Sequence, residues 1–444
     1  MDPRQTKNRS EVPERPTDAP SAGNGTEPSE HTERAHRADR STQAGDSIAK
    51  AGRTGPGIST LAVHGGEPRP KFGNALATPI VQTATYTFVD TRELQDHFER
   101  RIEREEYGRY GNPTQRIAEN KVAAIEGAGD CLLFASGMAA MTTALLCQLS
   151  QGDHVVAAKA AFGSCRWLTD NLLPRFGVET TTIDSRDNGS WERAIRPNTK
   201  VFFFETPANP TMDIVDMAYV CGLAKAHGIT TVVDNAFATS VLQRPMDYGA
   251  DVVAYSATKL MDGQGRVLAG AVCGSAQWIN DVLLPFQRNT GPNCAPFNAW
   301  VVLKGLETLE LRALKQSENA LAVGTFVEGR VPRILHPGLA SHPQHDLAVK
   351  QMKACGPIFS FILDGGRAQA MALLNALQLV DISNNIGDSR SLMTHPASTT
   401  HHGVGPETRA DMGVEEGMLR INVGLEDPQD IIDDLDQALT SVGL

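Results

Sequence analysis

The sequence lacks several features that would settle its class at once. None of its apolar runs approaches the ~18 residues of a membrane-spanning helix, and its N-terminus has no apolar core of the kind a secretory signal carries. The expected location is therefore the cytoplasm, with no membrane partner. The cysteines Cys131, Cys147, Cys165, Cys221, Cys273, Cys294 and Cys355 are scattered, with no C-x-x-C pair. That pattern reads as buried thiols in a reducing compartment, not as a disulfide framework. There is no excess of basic residues: the formal net charge is −11, which argues against a nucleic-acid-binding surface. It leaves room for a local basic pocket. Two groups of histidines, His336 with His342 and His345, and His395 with His401 and His402, are too loosely spaced for a metal site, and no cysteine or acid completes either set. No internal repeat is visible.

What is present is a long chain able to bury a core. At 444 residues, 41% hydrophobic and 21% charged, it exceeds one compact unit and suggests two or three domains. Residues 1–55 are poor in Val, Ile, Leu and Phe and rich in Pro, Ser, Thr, Gly, Glu and Arg, so they are expected to form a disordered tail. A transit peptide fits less well, because Glu11, Glu14, Glu27, Glu30 and Glu33 are acids that such peptides avoid. Residues 56–112 read as an extended N-terminal arm ending in the polar loop Tyr107–Thr114. A helix follows from Gln115 to Glu126, stopped by Gly127.

From there strands and helices alternate. Strands are expected at Cys131–Phe134, His154–Ala158, Val201–Glu205, Thr230–Asp234, Val252–Tyr255 and Ala269–Val272, and helices at Gly137–Leu149 and Met217–His227. Continuous apolar strands between helices predict an α/β fold whose sheet is mostly parallel and covered on both faces. This large domain is expected over 113–303. A smaller C-terminal α+β domain over 304–444 would begin within a long helix from Ala299 to about Gly324. It would contain strands at Pro357–Leu363 and Leu419–Val423, a helix at Ala368–Leu377 and a closing helix after Asp427.

In such a sheet, ligands bind beyond the carboxyl ends of the strands, and four features fall there. Ser136-Gly137-Met138 opens a helix whose free N–H groups favour a phosphate, although Ser136 is equally an ordinary N-cap. Asp234 ends an apolar strand; a carboxylate there can pair with a protonated ring nitrogen, or simply begin a turn. Ser256-Ala257-Thr258-Lys259 offers two hydroxyls for a phosphate and a lysine able to form a Schiff base, or else a surface lysine in a loop. Asn209, in Glu205-Thr206-Pro207-Ala208-Asn209-Pro210, can reach a ring oxygen or build an Asn-Pro turn. Gly263-Gln264-Gly265-Arg266 hints at a dinucleotide motif but sits after a helix-poor loop, which makes that reading weak.

Taken together and in this order, these motifs resemble the Cys/Met-metabolism family of pyridoxal-phosphate enzymes, of fold type I, from about Ser59 to the C-terminus. The resemblance implies pyridoxal 5'-phosphate as cofactor and Lys259 as the lysine that carries it. It implies Asp234 opposite the pyridine nitrogen, and a phosphate held by Gly137, Met138, Ser256 and Thr258. Tyr107 and Arg109 match residues that reach the phosphate of a neighbouring subunit, so a homo-oligomer is expected, in the family commonly a tetramer. Arg420 matches the arginine that clamps the amino-acid carboxylate, a task suited to its two-pronged geometry. Thr394-His395-Pro396-Ala397-Ser398 matches an active-site loop.

One departure is informative. The family usually places a tyrosine over the cofactor ring, whereas here the residue is Phe162, which can stack but has no hydroxyl for proton transfer. Phe162, Asn385 (where lyases of the family often carry serine), the run Asp262–Arg266 and the stretch Gly291–Leu309 resemble the O-succinylhomoserine sulfhydrylase branch. The resemblance thus implies a transferase of methionine biosynthesis acting on a small amino-acid ester and sulfide. Cystathionine γ-synthase or a γ-lyase is the alternative within the family, and a nucleotide-binding oxidoreductase the alternative outside it.

Overall fold

The computed structural model describes residues 55–444; the tail expected over 1–55 lies, Gly55 excepted, outside the described residues. A seven-stranded sheet is formed by β1 (Asp130–Phe134), β2 (His154–Ala158), β3 (Glu179–Ile183), β4 (Thr199–Glu205), β5 (Thr230–Asp234), β6 (Val252–Tyr255) and β7 (Gly270–Gly274), in the order β1-β7-β6-β5-β4-β2-β3. All neighbours pair in parallel except at β7, which is antiparallel to both β1 and β6. β1 and β6 therefore run the same way, and the carboxyl ends of β1, β2, β4, β5 and β6 meet at one edge.

Alternation along each strand feeds two cores. Phe202, Phe204 and Val233 enter the core beneath helices Pro113–Glu126 and Met217–His227, while Val201, Phe203 and Val232 enter the core beneath helix Gly137–Leu146. Trp191 is packed against Phe202 and Phe204, its ring centroids 5.0 and 5.5 Å from theirs. Burial on both faces is why these strands read as unbroken apolar runs.

A second sheet, ordered β10-β11-β12-β9-β8, comprises β8 (Arg333–Leu335), β9 (Ile358–Ile362), β10 (Asp381–Ile382), β11 (Leu392–Thr394) and β12 (Met418–Asn422). Phe359, Phe361, Leu419 and Ile421 face helices Leu309–Glu328, Gly366–Ala376 and Pro428–Ser441. The opposite parity turns Ser360 and Arg420 toward the loop after β4, where Ser360 Oγ donates to Pro210 O at 2.7 Å.

Three elements differ from expectation. The long helix expected from Ala299 to Gly324 is two helices, Pro296–Leu306 and Leu309–Glu328. The first ends where Gly305 lies against the chain after Lys259: a Cβ there would sit 2.3 Å from Met261 O. The arm is not wholly extended, since it contains helices Ile58–His64 and Thr91–Phe98. The Gly137 helix closes at Leu146. No helix of the described residues is long and apolar enough to cross a membrane.

Behind the sheet edge, buried Glu126 accepts hydrogen bonds at Oε2 from Ser240 Oγ at 2.5 Å and from Tyr255 Oη, while Asn235 Nδ2 donates to Tyr255 Oη at 2.9 Å. This network ties the chain after β5 to the last residue of β6. Burial pushes the Glu126 carboxyl from its ordinary 4.5 up to about 7. With the folded value above the unfolded one, the stabilisation is complete below 4.5 and is lost as pH rises through about 7. Glu126→Gln is therefore expected to gain stability over the wild type between pH 5 and pH 8, by roughly 2–3 kcal/mol at ~1.4 kcal/mol per pH unit. Denaturant midpoints at the two pH values read this directly, and a gap that does not change with pH would show that Glu126 titrates normally.

Candidate active site

The strand ends bring most of the expected residues to one edge of the sheet. After β1, Ser136 caps its helix by accepting the Ala139 N–H at 3.1 Å, and Ala140 N–H bonds Ser136 O at 3.1 Å. The N–H groups of Gly137 and Met138 are left outside the helix's own bonding. Gly137 is required by close approach: a Cβ there would lie 2.6 Å from Ser256 Cβ. The helix start and the Ser256 hydroxyl thus share one small cradle. Thr258 is in the same turn, but its Oγ1 is engaged with Ala269, accepting that N–H at 3.0 Å and lying 3.2 Å from its carbonyl oxygen.

Lys259 follows on this turn. Its Nζ donates to Asn385 Oδ1 at 2.7 Å. Burial, with Arg420 nearby, brings its ammonium down from 10.5 to about 8. The loop carrying Asn385 sits directly on the lysine turn: Gly387 has φ +68°, and a Cβ on it would be 2.5 Å from Leu260 N. The turn is braced from below by Arg312, whose buried guanidinium donates to Leu260 O and Gly305 O, each at 2.8 Å.

Arg420, wholly buried on β12, donates from Nη1 to Asn209 Oδ1 at 3.0 Å and from Nη2 to Asn384 O at 2.9 Å and Asn385 O at 3.4 Å. Its Nε is buried without a partner, a donor available to a bound carboxylate. Burial lowers its pKa to about 10. Asp234, at the end of β5, accepts the Ala236 N–H at 3.0 Å and, among the described residues, no other hydrogen bond; burial raises its pKa. Phe162 follows β2, with its backbone N–H donating to Glu205 Oε2 at 2.7 Å.

Tyr107 and Arg109 do not join this group within one chain. The Arg109 guanidinium lies 5.3 Å from the Tyr107 ring centre and 4.5 Å from that of Tyr110, and donates to Arg288 O. Three neighbours of the site are given no site role by the sequence. Arg312 is one arginine in a charged helix and gives no signal. Glu205 does give one, as an acid closing an apolar strand beside a strand that ends in Asp234. His401 is buried with Nε2 unpartnered, and burial lowers its pKa to about 4. Among the described residues no group of three or more His, Cys, Asp or Glu is placed to hold a metal ion.

A two-faced, mostly parallel sheet with a half-buried lysine, a buried carboxylate and a helix-start anion cradle at one edge defines a pyridoxal-phosphate enzyme of fold type I. The profile of the Cys/Met metabolism PLP-dependent enzymes matches residues 59–440, and the chain belongs to that family. It is 44% identical over 397 residues to an O-succinylhomoserine sulfhydrylase of Mycobacterium tuberculosis, covering 88% of this chain and 98% of that one. It is 41% identical over 388 residues to an L-methionine gamma-lyase of Treponema denticola, covering 86% and 96%. A solved cystathionine gamma synthase from Xanthomonas oryzae pv. oryzae, in complex with aminoacrylate and cysteine, superposes with a TM-score of 0.83 at 33% identity, covering 87% of this chain and 98% of that one.

Pyridoxal 5'-phosphate is accordingly the cofactor, and the residues present fit it. The Gly137–Ser256 cradle matches a phosphate; among the described residues, buried Asp234 has no cation bonded to it and half-buried Lys259 forms no ion pair with an acid.

Proposed function

We propose that this enzyme performs γ-replacement on O-succinylhomoserine, with sulfide displacing succinate to give homocysteine. The observation that carries the reading is Phe162, a ring without a hydroxyl, where the family usually has tyrosine. The bound cofactor supplies an electron sink for the charge left at the substrate Cα, held in its protonated form by Asp234. Gly137 and Met138 N–H groups, with the Ser256 hydroxyl, would hold its phosphate, and Thr258 would join them only by leaving Ala269; Phe162 would stack on its ring, and Asn209, which steadies Arg420, would lie beside it.

Arg420 binds the α-carboxylate through the donor geometry described above. Lys259 Nζ takes the proton from Cα and serves the proton transfers at Cβ that accompany departure of succinate from Cγ. A pKa of about 8 leaves on the order of a tenth of the amine neutral at pH 7, enough to act as base without deprotonating the whole pool. Asn385 Oδ1 keeps that amine aimed into the cleft. With no phenol to share the work, Lys259 carries it alone, which favours capture of the intermediate by a nucleophile over simple elimination.

Phe162→Tyr tests this. The ratio of homocysteine to 2-oxobutyrate formed from O-succinylhomoserine and sulfide is expected to fall at least ~10-fold, since a positioned acid–base group is worth 10²–10⁴. An unchanged ratio removes the basis for preferring replacement. The second reading, a methionine γ-lyase, is supported by the 41% identity to the T. denticola protein. Rapid release of methanethiol from L-methionine would favour it.

Tyr107 and Arg109 are proposed to complete the phosphate site of a neighbouring copy in a homo-oligomer, with the chain working as a cytoplasmic tetramer. Supporting this, the arm leaves Leu76 and Val89 each 88% exposed and Phe98 64% exposed, apolar surface suited to a partner. Arg109→Ala is expected to weaken cofactor retention by roughly 10- to 100-fold, the value of a charged hydrogen bond of ~1.5–3 kcal/mol. Retention equal to wild type in equilibrium dialysis would contradict the cross-subunit assignment.

A further inference from the structure

Glu205 and Asp234 are register partners on the parallel strands β4 and β5. They share the sheet face on which Met138, Phe162 and Cys165 lie, and both are buried. Asp234 is the acid assigned above to the cofactor ring. Glu205 has no assigned role and forms no ion pair with any described residue; it accepts the Phe162 N–H at 2.7 Å and also the Asn209 backbone N–H.

We propose that Glu205 is a positioning residue that works as a neutral carboxylic acid, latching the Phe162 loop to the sheet without placing a second anion beside Asp234. The inference rests on the reading of Asp234 and Phe162 given above. Two buried carboxylates on adjacent strands cannot both be ionised without a large repulsive cost. The partner that faces a cationic ring nitrogen keeps its charge, so the other holds the proton.

The groups facing Glu205 agree. Asp234 comes from β5. The Cys165 thiol, from helix Gly163–Trp167, is raised by burial and is neutral. His401, lodged between the chains at Ala161 and Asn209, is lowered by burial and is neutral as well. Arg420, from β12, is the one cation, and its hydrogen bonds go to Asn209, Asn384 and Asn385. Burial first and Asp234 second push the Glu205 carboxyl well above its ordinary range; the N–H groups of Phe162 and Asn209, and then Arg420, only moderate this. An ionised Glu205 would also compete with the substrate carboxylate for Arg420. A neutral one leaves that guanidinium free while still accepting the Phe162 N–H.

The test compares wild-type holoenzyme with Glu205→Gln and Glu205→Leu. Glutamine is uncharged and keeps an acceptor for the Phe162 N–H; leucine fills the space and accepts nothing. Expected for E205Q are a wild-type pH midpoint of the bound cofactor's visible band, wild-type cofactor dissociation and an unchanged KM. For E205L, cofactor dissociation is expected to quicken about 10-fold, the order of one lost buried hydrogen bond. A midpoint displaced by about half a pH unit or more in E205Q would mean that a charge had been removed, and would overturn the assignment. Failure of E205Q to accumulate as holoenzyme would overturn it too, because the neutral isostere preserves every contact on which it rests. The sulfhydrylase reading is judged separately, by product identity, so a displaced midpoint with homocysteine still formed removes only the role of Glu205.

Discussion

Lys259→Ala is expected to leave a folded protein that forms no borohydride-fixed chromophore with pyridoxal phosphate and turns over at least ~10³-fold more slowly than wild type. Both losses have one cause. In the proposed mechanism the amine is at once the covalent anchor and the base, and positioned proton transfer alone is worth 10²–10⁴. The fold is expected to survive, because the side chain's one hydrogen bond is to Asn385; the turn itself is braced by Arg312 and does not depend on the lysine. Absorbance before and after borohydride, with circular dichroism as the folding control, separates these effects. A persisting fixed chromophore would move the attachment to another lysine.

Arg420→Lys is expected to be nearly as severe, with the loss concentrated in KM. Removing one partner of a buried charged contact costs ~2–5 kcal/mol, or roughly 30- to 4,000-fold in kcat/KM at ~1.4 kcal/mol per tenfold. Lysine keeps the charge but not the fork. It cannot serve Asn209, Asn384 and Asn385 together and still present donors to a carboxylate. Steady-state kinetics with O-succinylhomoserine give the split. An unchanged KM with depressed kcat would mean that Arg420 acts on the chemistry and not on substrate binding.

The legible parts of this fold were those whose physics is local. β2 and β6 read directly because both faces are buried and nearly every residue is apolar; β5 reads from its two threonines and two valines, β-branched residues that favour strands. β3, Glu-Thr-Thr-Thr-Ile at the sheet edge with Glu179 exposed, carries no such signal. The antiparallel placement of β7 is a long-range pairing that no local pattern encodes. The helix break after Leu306 depends on Gly305 meeting a loop more than forty residues earlier in the chain.

The same division holds for the site. Gly137, Asp234, Ser256 and Lys259 each sit where a strand ends, so position in the sheet marks them. Asn385 meets Lys259, and Arg420 meets Asn209, only once the second sheet is packed against the first. Arg312 has its effect through backbone carbonyls and leaves no pattern at all. Glu205 was visible as a charged strand end but gains meaning only from its register with Asp234.

The most direct test of the account is product identification. Purified holoenzyme would be given O-succinylhomoserine with sulfide and cysteine present together, and the products separated by mass spectrometry. Homocysteine and succinate as the main products are what a sulfide-using γ-replacement enzyme yields. Cystathionine as the sole amino-acid product, or 2-oxobutyrate in place of either thiol or thioether, would contradict it.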